Sequence, residues 1–169
     1  EVLNNKNIDL KNIDKVKKII KKHKNLSFRK NKNLRSEKIS NIASKIAVFQ
    51  YVRKYINKLQ NDFVIQNIDK KGFVIDGRDI GSVVFKNADL KLYIDVDVKI
   101  RAKRRYKQLI DIGEKSIYPQ ILKEIKLRDK IDTNRKISPL VIPEGAHIID
   151  NNKTFSYTKS QIKNLINKL

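Results

Sequence analysis

A chain of 169 residues with 40% hydrophobic content has room for one domain with small inserts and enough apolar side chains to bury a core. It holds no cysteine, which excludes disulfides, thiol nucleophiles and cysteine-ligated metals, and only two histidines, His23 and His147, too few for a His-rich metal site. The formal net charge of +21, from 39 Lys and Arg against 18 Asp and Glu, favours anionic ligands.

The opening EVLNNKNIDLKNID is too polar for a signal peptide, and no segment reaches the roughly 20 apolar residues of a membrane span. The expectation is a soluble, cytoplasmic protein with no membrane partner. With no methionine and a first residue Glu1, the chain reads as processed or as a fragment of a longer product, and a fragment is favoured. Asp14 to His23 has Val16, Ile19 and Ile20 at helical spacing, with Asp14 as a candidate N-cap. Leu26 to Arg29 suits a short strand, and Lys30 to Asn33 a loop. Ser36 to about Phe63 is helical in pattern, with Ser36 and Ser40 as candidate caps. One apolar stripe runs through Ile39, Ile42, Ala43, Ile46 and Ala47, and another through Val52, Tyr55, Ile56, Leu59 and Phe63. A break near Phe49-Gln50 implies two helices. Arg35, Ser44 and Arg53 are nine apart, a spacing that does not share one face of a straight helix; they either converge around a ligand or are solvated arginines and a small packing serine.

The stretch FVIDGRDIGSVVF, Phe73 to Phe85, reads as a buried strand that stops at charged residues and a glycine turn, followed by an apolar run. Ligands in α/β proteins sit at the carboxyl ends of strands, and Gly77 and Gly81 let the backbone approach one or adopt unusual angles. A strand exit with solvated Arg78 and Asp79 fits equally. Leu90 to Val96 is a second strand. Val98 to Ile112 is a helix that Gly113 can end. Its Arg101, Arg104 and Arg105 neighbour one another at i, i+3, i+4, as a polyphosphate site or a solvated basic face. Ile117 to about Ile131 is a helix with Pro119 in its first turn. It leads to Arg128, Asp132 and Arg135, which share one face and can also pair with each other. His147 to Asp150 is a third short strand. Thr158 and Gln161 suggest a capping box for a helix from Lys159 to Leu169. Alternating strands and helices indicate a parallel sheet with helices on its faces.

The stretches DGRDIGSVVFKNADLKLYI, RAKRRYKQL, IKLRDKIDTNRKISPL and GAHIID, with the helix pair LRSEKISNIASKIAVFQYVRKYI, resemble bacterial cytidylate kinase. The matching pieces run in family order from Leu34 to the C-terminus. The resemblance implies an α/β, three-layer P-loop kinase fold with a parallel sheet, a helical insert that binds the nucleoside monophosphate, and a lid. It assigns residues 10–66 to the insert, 70–112 and 145–169 to the core, and 113–140 to the lid region. It implies transfer of the ATP γ-phosphoryl group to CMP or dCMP, with ATP and CMP/dCMP as partners, Mg²⁺ arriving with ATP and a monomeric enzyme. Ser44, Arg53 and Asp79 would read the cytosine edge. Arg78 and Arg135 would bind the acceptor phosphate. Arg128 and Asp132 would approach the ribose side near the lid, and Arg78, Arg128 and Arg135 would carry the catalytic charge. Arg104 and Arg105 would lie near the ATP phosphates, and Asp76 would be an outer partner of Mg²⁺.

The family's phosphate loop, GxxxxGK[ST], is missing from these 169 residues, since none of the five glycines begins it. Its strand, which the family places between the Phe73 and Leu90 strands, would precede Glu1 and would leave both without their shared neighbour. Ser82 stands where the family usually has Thr. Two other readings follow. One is a basic nucleic-acid-binding protein; the other is an inactive kinase remnant that binds CMP. Against a dedicated nucleic-acid partner, lysines are spread along the chain and no stacking aromatics interleave with the basic runs.

Overall fold

The computed structural model describes residues 12–22 and 37–169. The expected strand at Leu26–Arg29, the loop after it, His23, and the candidate residues Arg35 and Ser36 lie outside these. The chain divides into two compact units, Glu1–Phe73 and Val74–Leu169.

The first unit is helical. Helix α1 (Ile13–Lys22) begins where the side chain of Asn12 accepts the amide proton of Lys15 at 3.0 Å. Asn12 is therefore the cap, and Asp14 lies in the first turn instead, where its negative charge suits the positive end of the helix dipole. Helices α2 (Glu37–Ile46) and α3 (Gln50–Gln66) are separated by a turn at residues 47–49, close to the expected break. Val16 and Val52 are buried, and α1 packs on α3. Aromatic contacts add to this packing: Phe49 stacks on Tyr51 at 5.7 Å between ring centroids, and Phe63 meets Phe73 edge-on at 5.9 Å.

The second unit is α/β. Strand β1 (Leu92–Asp95) pairs in parallel with β2 (His147–Asp150), with Ile94 opposite Ile149. Between them run α4 (Val98–Asp111) and α5 (Tyr118–Asn134), and α6 (Phe155–Ile166) follows β2. Asp97 caps α4, accepting the amide protons of Lys99 at 2.7 Å and Ile100 at 3.4 Å. Gly113, at φ +77°, ends it. The amide of Gly113 donates to Ile110 and that of Glu114 to Leu109, the paired pattern that needs a left-handed residue after the helix. Ala102, Leu109 and Ile121 form the buried core between α4 and α5, and Tyr106 meets Tyr118 edge-on at 6.3 Å.

Two expectations are corrected, and the apolar run after Gly81 takes a definite form. Phe73 to Ile75 forms no strand: residues 72–77 take no regular structure and join no ladder, because a strand needs a hydrogen-bonding neighbour and none of the described residues supplies one. The run after Gly81 is a single π-helical turn, Ile80–Val84, in which the amide of Phe85 donates to the carbonyl of Ile80 at 2.7 Å. The last helix starts four residues earlier than its expected capping box: Thr154 caps it, accepting from the amide of Tyr157 at 3.3 Å. Thr158 is inside that helix and buried, with its hydroxyl 3.0 Å from the Asn151 side chain and 3.4 Å from the carbonyl of Asp150.

The exits of the two strands are tied together. Asn152, just after β2, accepts the amide proton of Asp97, just after β1, at 2.7 Å. Its own amide and side-chain nitrogen both donate to Asp150 at 2.8 Å, which holds the Asp150 carboxyl below the usual carboxylate range.

Ile149 is almost fully buried at 2% exposure. Ile149→Ala is expected to lower unfolding stability in urea by about 2–4 kcal/mol. Asp150 has a depressed folded pKa, so the stability it lends is present above its unfolded pKa and is lost as pH falls through the folded value. Asp150→Asn should therefore flatten the acid side of a stability–pH profile, and an unchanged acid limb would refute this.

Candidate functional site

The residues at the C-terminal half of α5 gather around one carboxylate. Asp132 is buried, with its side chain 7% exposed. Arg78, from the loop before the π turn, places Nε 3.2 Å from Oδ2 of Asp132. Arg135, whose side chain is also 7% exposed, places Nη1 3.2 Å from Oδ1. Arg128, one helical turn before Asp132, places Nε 4.0 Å from Oδ2. Three guanidinium groups thus share one carboxylate, and the formal charge of the group is +2. Arg78 and Arg128 are each about half exposed, so this excess positive charge faces solvent.

The backbone beyond α5 keeps this arrangement. Nε of Arg135 donates to the carbonyl of Ser138, whose φ of +52° turns the chain back. The amide of Leu140 then donates to the carbonyl of Asp132 at 2.8 Å. The segment around the two prolines Pro139 and Pro143 is therefore folded against the end of the helix.

Beside the cluster lies a cavity of about 440 Å³, lined on one side by Ile75, Asp76, Gly77 and Arg78 and on another by Leu92 to Val96. Arg101, Asp129 and Thr133 also line it. Gly77 and Gly81 belong to its wall, but not through unusual backbone angles: the glycines at positive φ are Gly72, Gly113 and Gly145. Space is the reason. A Cβ on Gly77 would come within 2.6 Å of the Ile80 side chain, and one on Gly81 within 3.0 Å of the Pro143 ring.

Arg104 and Arg105 are engaged locally: Arg104 donates to the carbonyl of Lys153 at 3.1 Å and Arg105 to the side chain of Gln108 at 2.9 Å. Arg101 is different. Its guanidinium forms a bidentate pair with Asp129, at 2.8 and 2.7 Å, and these bonds push it above the ordinary arginine value against a smaller opposing effect of burial. The residue pattern leaves Arg101 open to a polyphosphate site or a solvated basic face and gives Asp129 no role of its own. The two lie on different helices, so no local periodicity links them.

Asp79 is buried at the start of the π turn, and its carbonyl accepts from the amide of Val83 at 2.9 Å. Ser44 and Arg53 belong to the first unit. Ser44 is half-buried on α2, and Nε of Arg53 donates to the carbonyl of Ala47 at 2.7 Å, fastening α3 to the turn before it.

The family model for cytidylate kinase matches residues 2–168. The chain belongs to the cytidylate kinase family. It is 47% identical over 117 residues to the cytidylate kinase of Pasteurella multocida, covering 69% of this chain and 50% of that protein. It is 43% identical over 146 residues to that of Rickettsia felis, covering 86% and 64%, and 40% identical over 157 residues to that of Mycoplasma capricolum, covering 86% and 68%. The chain thus spans about half the length of the Pasteurella relative and about two thirds of the other two. Membership carries the P-loop kinase fold, and the parallel β1–β2 pair with its flanking helices is part of such an α/β frame. Among the described residues no helix is long and apolar enough to cross a membrane.

In this family member the cluster is also a structural element. Asp132→Ala would leave three guanidinium groups without their shared anion. It should cost about 2–4 kcal/mol of stability, less than a fully buried pair because two of the arginines are half exposed. Arg128→Ala, at the longest distance, should cost less than about 1 kcal/mol. Added inorganic phosphate should raise the melting temperature of Asp132→Ala more than that of the parent chain; equal shifts would count against the shared-anion picture.

Proposed function

We propose that this chain carries acceptor-binding and lid elements of an enzyme that transfers the γ-phosphoryl group of ATP to CMP or dCMP, giving CDP or dCDP, in cytoplasmic pyrimidine nucleotide metabolism. The observation that carries the reading is the convergence of Arg78, Arg128 and Arg135 on Asp132. Its +2 excess matches the charge of a monophosphate in its dianionic form, which predominates above a second pKa near about 6.

Phosphoryl transfer asks a protein mainly to position its reactants and to stabilise charge on the moving oxygens. Guanidinium forks suit both tasks, since each holds two oxygens in fixed geometry and stays charged. On this reading Arg78 and Arg135 hold the acceptor phosphate. Arg128 and Asp132 stand toward the ribose, and the three arginines compensate charge as transfer proceeds. For Ser44, Arg53 and Asp79 as readers of the cytosine edge, and for Arg104 and Arg105 near the ATP phosphates, the support is the family resemblance. The same holds for residues 10–66 as the monophosphate-binding insert, 70–112 and 145–169 as the core, 113–140 as the lid region, and a monomeric state.

Among the described residues no group of three or more His, Asp and Glu side chains converges. Mg²⁺ fits here as the companion of ATP, bound through phosphate oxygens and water, with exposed Asp76 on the cavity wall as the carboxylate within its outer shell. It would neutralise phosphate charge during transfer.

The 169 residues contain no GxxxxGK[ST] loop, which favours a second reading in which the chain as given binds CMP and transfers phosphate slowly or not at all. Calorimetric titration with CMP, UMP and AMP separates these readings from a nucleic-acid binder. CMP should bind at least about tenfold more tightly than the other two, because a site built to pair one base edge leaves its groups unpaired with another. Arg78→Ala should weaken CMP binding by about tenfold or more. Binding should weaken as pH falls below about 6, where the phosphate loses its second charge. Salt-sensitive binding of oligonucleotides without preference for CMP would overturn the proposal.

A further inference from the structure

Helix α5 is held in two ways along its length. From Tyr118 to Ile125 it is fixed by apolar packing, with Ile121 buried against the α4 residues Ala102 and Leu109. Beyond that point the apolar anchor ends. Leu127 and Ile131 are 57% and 41% exposed, and the buried residue of this half is the charged Asp132. Yet this is the half that carries the guanidinium cluster. Here α4 reaches it through the Arg101–Asp129 pair, closed by two hydrogen bonds of 2.8 and 2.7 Å. The same guanidinium donates from Nε to the carbonyl of Val96 at 3.1 Å, immediately after β1. A polar strut thus runs from the end of the strand, through Arg101, to Asp129 on the helix.

We infer that Arg101 is a positioning residue: through Asp129 it fixes the C-terminal half of α5, and with it the placement of Arg128, Asp132 and Arg135 around an anionic acceptor. The inference rests on the reading of that cluster as an acceptor site. A helix of 17 residues is about 25 Å long. Without this strut the C-terminal half would be held at Asp132 by Arg78 and the Leu140 amide, both from irregular segments, and would have more freedom to pivot where small displacements of phosphate-binding groups are costly. A bidentate fork fixes direction as well as distance, which a point charge does not. Arg101 also lines the cavity, but its Nε, Nη1 and Nη2 each donate to Val96 or Asp129, so it acts on the cluster at one remove.

The test is hydrogen exchange along α5 together with CMP titration of the full chain. In Arg101→Gln, amides 126–134 should exchange about tenfold faster, while amides 118–125, held by the apolar core, keep their rates. CMP affinity should fall about five- to tenfold. Arg101→Lys, which keeps the charge and loses the fork, should be intermediate in both. The exchanged pair Arg101→Asp with Asp129→Arg should recover much of the protection lost in either single variant, and it serves where a single variant folds poorly. Unchanged exchange in 126–134, or an increase spread evenly over the whole helix, would overturn the inference. If the parent chain fails to bind CMP, the proposed function fails, and the exchange profile still decides whether Arg101 positions the helix.

Discussion

Guanidinium groups do not gather without an anion among them. In water their repulsion is weak, but near a buried carboxylate the local dielectric falls and the interaction energies grow. Asp132 is the anion that allows Arg78, Arg128 and Arg135 to stand together before any ligand arrives. One carboxylate neutralises one of three charges. The remaining charge is therefore preorganised by the fold, so the cost of ordering these arginines is met during folding.

The rest of the second unit keeps that cluster in place. Two parallel strands end side by side, and Asn152 joins their exits through Asp97 and Asp150. α4 starts from the capped end of β1, and its Arg101 reaches back to Val96 and across to Asp129. Gly113 ends α4 with a left-handed residue, which lets the chain reverse into α5. After α5, Ser138 turns the backbone so that Leu140 closes onto Asp132. Apolar packing sets where α5 begins, and polar contacts set where its charged end points.

Much of this was legible in the sequence, because it depends on neighbours close in the chain. β-branched runs marked β1 and β2, helical spacing marked α1 and α3 to α5, and the spacing of Arg128, Asp132 and Arg135 placed them on one face. What the residue pattern did not reveal depends on distant partners. That Arg78 meets this face, and that Arg101 meets Asp129, follows from tertiary packing; the resemblance to a family assigned Arg78 its role, while periodicity could not. Phe73 to Ile75 has the composition of a strand, but strand formation needs a neighbour as well as a propensity. The start of α6 was misplaced because Thr154 and Thr158 are equally good caps by type. Burial of Thr158 against the end of β2 decides between them. Gly77 and Gly81 were read as allowing close approach of the backbone to a ligand or unusual angles; both line the cavity at ordinary angles, and a Cβ there would crowd Ile80 and Pro143.

The β1 strand pairs with β2 along one edge, and its other edge faces the cavity with no strand beside it among the described residues. An edge of this kind is a template: amides and carbonyls that no strand among the described residues pairs can take up an extended chain in register. The lysines that give the chain its +21 charge oppose such encounters by mutual repulsion. That repulsion is long-ranged and screened within about 10 Å at 0.1 M salt, whereas backbone pairing is short-ranged and insensitive to salt. For these 169 residues, concentrated electrolyte is therefore expected to weaken the repulsion that shields this edge, while leaving backbone pairing unaffected.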